Sequence, residues 1–114
     1  MTPTKELLEG TWTNILGHLQ QVSDIEKVIN ITFDTLPFDD YAVIKIVFID
    51  GKEESVLYSG NFFLHQNARG EFKIAIRNAA DDKEVIIQCR DFNGKIFTAE
   101  IGEYGTISFI KINS

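Results

Sequence analysis

From residue 26 onward the chain breaks into short runs of strand-forming residues, each closed by a turn signal, with no helical crossover between them. Strands joined this way run antiparallel, because a parallel neighbour needs a long connection. The pattern is sharpest at 71–78, where Phe72, Ile74 and Ile76 alternate with Lys73, Ala75 and Arg77, so one face of that strand is buried. Other strands are predicted at 26–34, 41–49, 55–66, 84–90, 95–101 and 106–112. Asp50-Gly51 and Asn93-Gly94 read as two-residue hairpin turns, and Gly60, inside the longest run, predicts a bend or bulge.

The N-terminal end admits two readings. In the first, Thr2 caps a short helix with Pro3 at its first position, Gly10 stops it, a strand spans 11–16, and a polar connection at 17–25 lies where a lid would. In the second, Leu8, Trp12, Ile15, Leu16, Leu19 and Val22 recur at helical spacing and form one long helix on a curved sheet, an α+β fold. Gly10, Thr11, Thr13, Asn14 and Gly17 cost such a helix on the order of a few kcal/mol relative to alanine, so the strand is favoured. The predicted fold is all-β: an eight-stranded antiparallel up-and-down barrel with a short N-terminal helical plug, one domain over 1–114.

Nine Phe, three Tyr and one Trp supply core material for the interior. A net charge of −6, from 17 acidic against 11 basic residues, repels phosphate backbones, and the cations are scattered, so no nucleic-acid partner is expected. The pairs Asp39-Asp40, Glu53-Glu54 and Asp81-Asp82 fall in turns; adjacent strand carboxylates point to opposite faces and make poor catalytic dyads. No apolar run approaches the roughly eighteen residues of a membrane span. Met1 leads into polar residues without signal-peptide character, so no membrane partner and a cytoplasmic location are expected, although a secreted chain stripped of its leader would look the same.

His18 and His65 lack metal-site spacing, so no metal and no cofactor are expected. Asn30-Ile31-Thr32 fits the glycosylation pattern incidentally. Cys89 has no disulfide partner and shares a strand face with Val85 and Ile87, as a small buried hydrophobe would.

Gly10-Thr11-Trp12 resembles the Gly-x-Trp signature that opens the first strand of lipocalin-like and avidin-like barrels. Thr11 through Gly17 resembles the avidin first strand, and Gln88-Cys89, Asp91 and Asn93-Gly94-Lys95 resemble a later avidin hairpin. In avidins the first-strand Asn helps cradle the biotin ureido oxygen, with residues two and four places later also facing the ligand; the positions here are Asn14, Leu16 and His18. The period of two independently places Trp12, Asn14, Leu16 and His18 on one face. Avidins wall biotin with several tryptophans and this chain has Trp12 alone, which argues against biotin. Lipocalin-like folds also set a basic residue of the last strand against the motif tryptophan; Lys111 is the candidate, with Ile107 and Phe109 facing inward beside it.

The resemblance therefore implies a small-molecule binding barrel, in which Asn14, His18 and Tyr58 orient a ligand packed against Leu16, Phe33 and Phe62. An apolar ligand with a polar head suits that set, and binding rather than catalysis is expected. An acidic inhibitor or immunity-type protein that binds a protein partner is the alternative, since a small acidic domain can present negative loops to a basic surface. A barrel isomerase or hydratase using His18 is the third reading, and nothing in the sequence pairs that histidine with an activating group. Residues 41–49 are apolar on both faces, with Ala42, Ile44, Ile46 and Phe48 on one and Tyr41, Val43, Val47 and Ile49 on the other, which predicts a homodimer or larger assembly.

Overall fold

Alternating side chains become a closed sheet in the computed structural model, which describes residues 3–14, 27–35, 42–67 and 70–113. A single helical turn, α1 (Lys5–Leu8), precedes β1 (Gly10–Asn14), β2 (Lys27–Thr35), β3 (Ala42–Asp50), β4 (Glu53–Gln66), β5 (Phe72–Asn78), β6 (Glu84–Arg90), β7 (Ile96–Glu100) and β8 (Thr106–Asn113). Each strand pairs antiparallel with the next and β8 returns to β1, which makes an eight-stranded closed barrel. We call the end where β1 begins the base and the opposite end the mouth.

The ladders of β1 decide between strand and helix for the tryptophan segment. Trp12 faces Ile31 of β2 on one side and Lys111 of β8 on the other. Those pairings satisfy the backbone groups of the segment without the propensity cost that Gly10, Thr11, Thr13 and Asn14 would impose on a helix. The helix start lies later than the sequence suggests: the Thr4 hydroxyl, and not Thr2, caps α1 by accepting from the Leu7 N–H at 3.2 Å. Leu8 then buries fully at the base, its carbonyl accepting from the Trp12 indole N–H at 2.8 Å, and the Gln66 amide donates to the Pro3 carbonyl. The rest of the expected first strand and the polar connection lie outside the described residues.

Curvature enters at β4. Its register against β3 shifts between Ile46 and Val47, so Leu57 and Tyr58 together oppose Ile46 and both pack against the core. Two residues further along, Gly60 sits at φ +151° under the crossing end of β5; a Cβ there would lie 1.9 Å from the Arg77 carbonyl oxygen. The Ala79 N–H donates to the Ser59 carbonyl at 2.7 Å and pins that crossing.

Aromatic rings fill the base. Trp12 meets Phe97 edge-on at 4.7 Å, Phe33 meets Phe62 at 5.3 Å, and Phe97 stacks on Phe109 at 5.5 Å. Phe92, on the connection between β6 and β7, completes this layer at 6.3 Å from Trp12 and 6.2 Å from Phe72. That connection is longer than the two-residue turn read from Asn93-Gly94. Phe92 alone of 91–95 is buried, and the Asn93 side-chain oxygen holds the loop by accepting from the Lys95 and Ile96 N–H groups at 2.9 and 2.8 Å. Toward the mouth the interior is lined by Ile29, Ile46, Ile74, Ile76, Ile87 and Ile107.

A candidate ligand site at the barrel mouth

Asn14 is the one buried polar side chain among the described residues. β1 turns it inward in the same cross-strand row as Ile29, whose N–H donates to its Oδ1 at 2.9 Å. That bond fixes the amide's orientation and leaves Nδ2 as a buried donor with no partner among the described residues. An unpaired buried N–H costs about 1–3 kcal/mol, so it marks a place where a partner is owed.

The row continues from Ile29 to Phe48, whose ring stacks on Tyr104 at 5.1 Å. Tyr104 belongs to the short 3-10 turn Gly102–Tyr104, which joins β7 to β8. Leu57, Tyr58, Ile101, Gly102, Glu103 and Tyr104 line a cavity of about 260 Å³ there. The β4 bulge supplies Leu57 and Tyr58 side by side, and the Tyr58 hydroxyl points at Gly102.

The expected site residues separate into two groups. Asn14 and Tyr58 lie toward the mouth, whereas Phe33 and Phe62 pack on each other inside the aromatic base layer. Leu16 and His18 lie outside the described residues. Phe48, Leu57 and Tyr104 carry no signal of their own in the sequence; only the bulge and the folded-in 3-10 turn bring them together.

Both ends of the barrel carry charged residues, and at the mouth Arg77 of β5 pairs with Asp82 at 3.1 Å. Asp50, Glu53 and Glu54 stand on the β3–β4 hairpin, Asp81, Asp82 and Glu84 on the β5–β6 hairpin, and Glu103 on the turn before β8, with Lys52 and Lys83 among them. The cation nearest the core lies at the far end: Lys111 Nζ is 5.7 Å from the Trp12 ring centroid and donates to the Leu7 carbonyl at 3.3 Å. Ile107 and Phe109 are buried beside it, as the last-strand pattern predicts.

Two larger clefts lie on the outer wall, one of about 490 Å³ across β2 to β5 and one of about 520 Å³ between α1 and the β3–β4 edge. Neither holds a buried unpaired polar group. Cys89 is inert: burial raises its thiol far above the ordinary range and the Glu100 carboxylate adds to the shift. Among the described residues no three His, Cys, Asp or Glu side chains converge as a metal site would require, and no helix is long and apolar enough to cross a membrane.

Comparison with protein-family models, with characterised proteins and with solved structures finds no match. The fold and the site geometry therefore carry the functional reading.

Proposed function

We propose that this barrel is a small-molecule binding protein of the lipocalin-like or avidin-like type, with its ligand at the mouth. The observation that carries the reading is the inward Asn14 amide, whose Nδ2 has no partner among the described residues and which stands in the cross-strand row that leads through Ile29 and Phe48 to Tyr104 of the mouth cavity. A ligand oxygen accepting from that amide would remove the cost of the orphan donor, while Leu57, Tyr58 and Tyr104 cover an apolar body. Charge narrows the class. The cation that contacts the core, Lys111, stands against Trp12 at the base and away from Asn14, so the ligand is an uncharged molecule with a carbonyl-type acceptor.

The neutral naphthyl ketone Prodan tests this. We expect saturable binding with blue-shifted emission, no binding of a naphthyl carboxylate of similar size, and an affinity lowered roughly five- to hundredfold by Asn14→Leu, as loss of a buried hydrogen bond predicts. Equal binding of ketone and carboxylate, or an affinity unmoved by Asn14→Leu in a variant that still folds, would overturn the reading. The acidic mouth also favours a second reading, a basic protein docking on the rim, for which Prodan would show no saturable site.

A further inference from the structure

Two cations that stand far apart in the sequence meet on the outer wall. Lys45 of β3 and Arg77 of β5 both line the cleft of about 490 Å³ that crosses β2 to β5. Between them runs β4, with Lys45 directly across from Ser59 and Arg77 directly across from Asn61. Ser59 and Asn61 share a face by the strand period, and Gly60 between them carries no side chain. That gap gives the cleft its depth: Ile44, a buried core residue, lines it from beneath because its ladder partner is Gly60. The corner is held on both sides, since the Ala79 N–H donates to the Ser59 carbonyl at 2.7 Å and the Ser59 N–H to the Asn78 side-chain oxygen at 3.3 Å.

We infer that this cleft binds a phosphate monoester with a compact apolar body. Among the described residues Lys45 has no ion pair, and Arg77 has one, to Asp82, with the two side chains 68% and 78% exposed. So exposed a pair contributes little, and a dianion in the cleft displaces it. A guanidinium offers a planar fork to two phosphate oxygens and an ammonium offers a point charge to a third, with the Ser59 hydroxyl and the Asn61 amide between them as further donors. Two cations match the double charge of a phosphate, which favours it over a carboxylate. Val43 and Ala79 give the body an apolar wall. Asp34 lines the β2 end of the same cleft and repels a second phosphoryl group, so the ligand is a monoester and not a diphosphate. The cleft lies outside the barrel, and its ligand does not depend on what the mouth binds.

Phenyl phosphate is the probe, titrated into the full chain at low salt and about pH 7.5, where the ester is largely dianionic, and followed by backbone amide NMR. Saturable shifts centred on Lys45, Ser59, Asn61 and Arg77 are expected, with Kd on the order of 0.1 to 1 mM for a site open to solvent. Lys45→Gln and Arg77→Gln should each weaken binding at least about fivefold, while Asp82→Asn should tighten it about two- to fivefold by releasing Arg77. Benzoate, with the same ring and a single charge, should give no saturation, and inorganic diphosphate should bind no more tightly than the ester. Shifts that do not saturate or that spread over the other lysines, benzoate binding as tightly as the ester, tighter binding of diphosphate, or an affinity unmoved by Lys45→Gln or by Arg77→Gln would overturn the inference.

Discussion

A single buried thiol illustrates how much a residue's surroundings decide. Cys89 was legible in the sequence as a small hydrophobe because it shares a face with Val85 and Ile87, and it is 4% exposed in the barrel. Its proton stays on in the folded state, held there first by desolvation and then by Glu100. The unfolded thiol ionises at about pH 8.5, so ionisation stabilises only the unfolded chain. Stability from this group is thus complete below that pH and lost above it. Urea melts should show the unaltered protein losing about 1.4 kcal/mol per pH unit relative to Cys89→Ala between roughly pH 9 and 11, with no such divergence from pH 5 to 8. Equal alkaline slopes would show that the thiol is not buried as described. Thiol reagents should label it only on unfolding.

At the scale of elements, β4 shows what a turn-poor strand needs in order to curve. The sequence marked the bend through Gly60 but was silent on the bulge that sets Leu57 and Tyr58 side by side, because a bulge is a register relation with β3 and has no residue signature of its own here. Gly60 itself leaves no latitude, since a Cβ would strike the Arg77 carbonyl, which belongs to the backbone and has no rotamer to yield. Gly60→Ala should therefore cost about 4 kcal/mol or more, measured by denaturant unfolding, or abolish soluble expression. A cost below about 1 kcal/mol would mean that the crossing of β5 over β4 is wrong. The same limit explains the connection after β6: Asn93-Gly94 looks like a tight hairpin locally, yet burial of Phe92 outweighs the local preference.

For the whole molecule, closure of β1 on β8 ties the termini into one cooperative unit. Trp12 joins the ladder, the aromatic base and the plug at once, through Lys111, Phe97 and the Leu8 carbonyl. Native emission should be blue-shifted and should move red in the same transition that removes the β-sheet circular dichroism signal. Trp12→Ala should cost about 3–5 kcal/mol and Lys111→Met about 2 kcal/mol at most, since the stem still packs and only the cation contact goes. Two separated transitions would argue against a barrel closed through β1 and β8. Outer residues Val43, Val47 and Ile49 of β3 are half-buried by neighbouring strands, so that face has less surface to offer a second subunit than its sequence implied.

What the sequence determined on its own was the class of the fold: strand periodicity, turn spacing and the poor helix formers around Trp12 are local properties, and they point to an antiparallel barrel before any contact is known. It also marked Asn14 as sharing a strand face with Trp12, because period is enough for that, while Lys111 as the partner of Trp12 came from the resemblance to lipocalin-like folds. The tertiary structure alone decided which inward residues meet. Phe33 and Phe62 went to the packed base, while Phe48, Leu57 and Tyr104 came to the mouth. Those outcomes depend on register, a bulge and the level at which each hairpin ends, and they are relations between segments far apart in the chain that no single segment encodes.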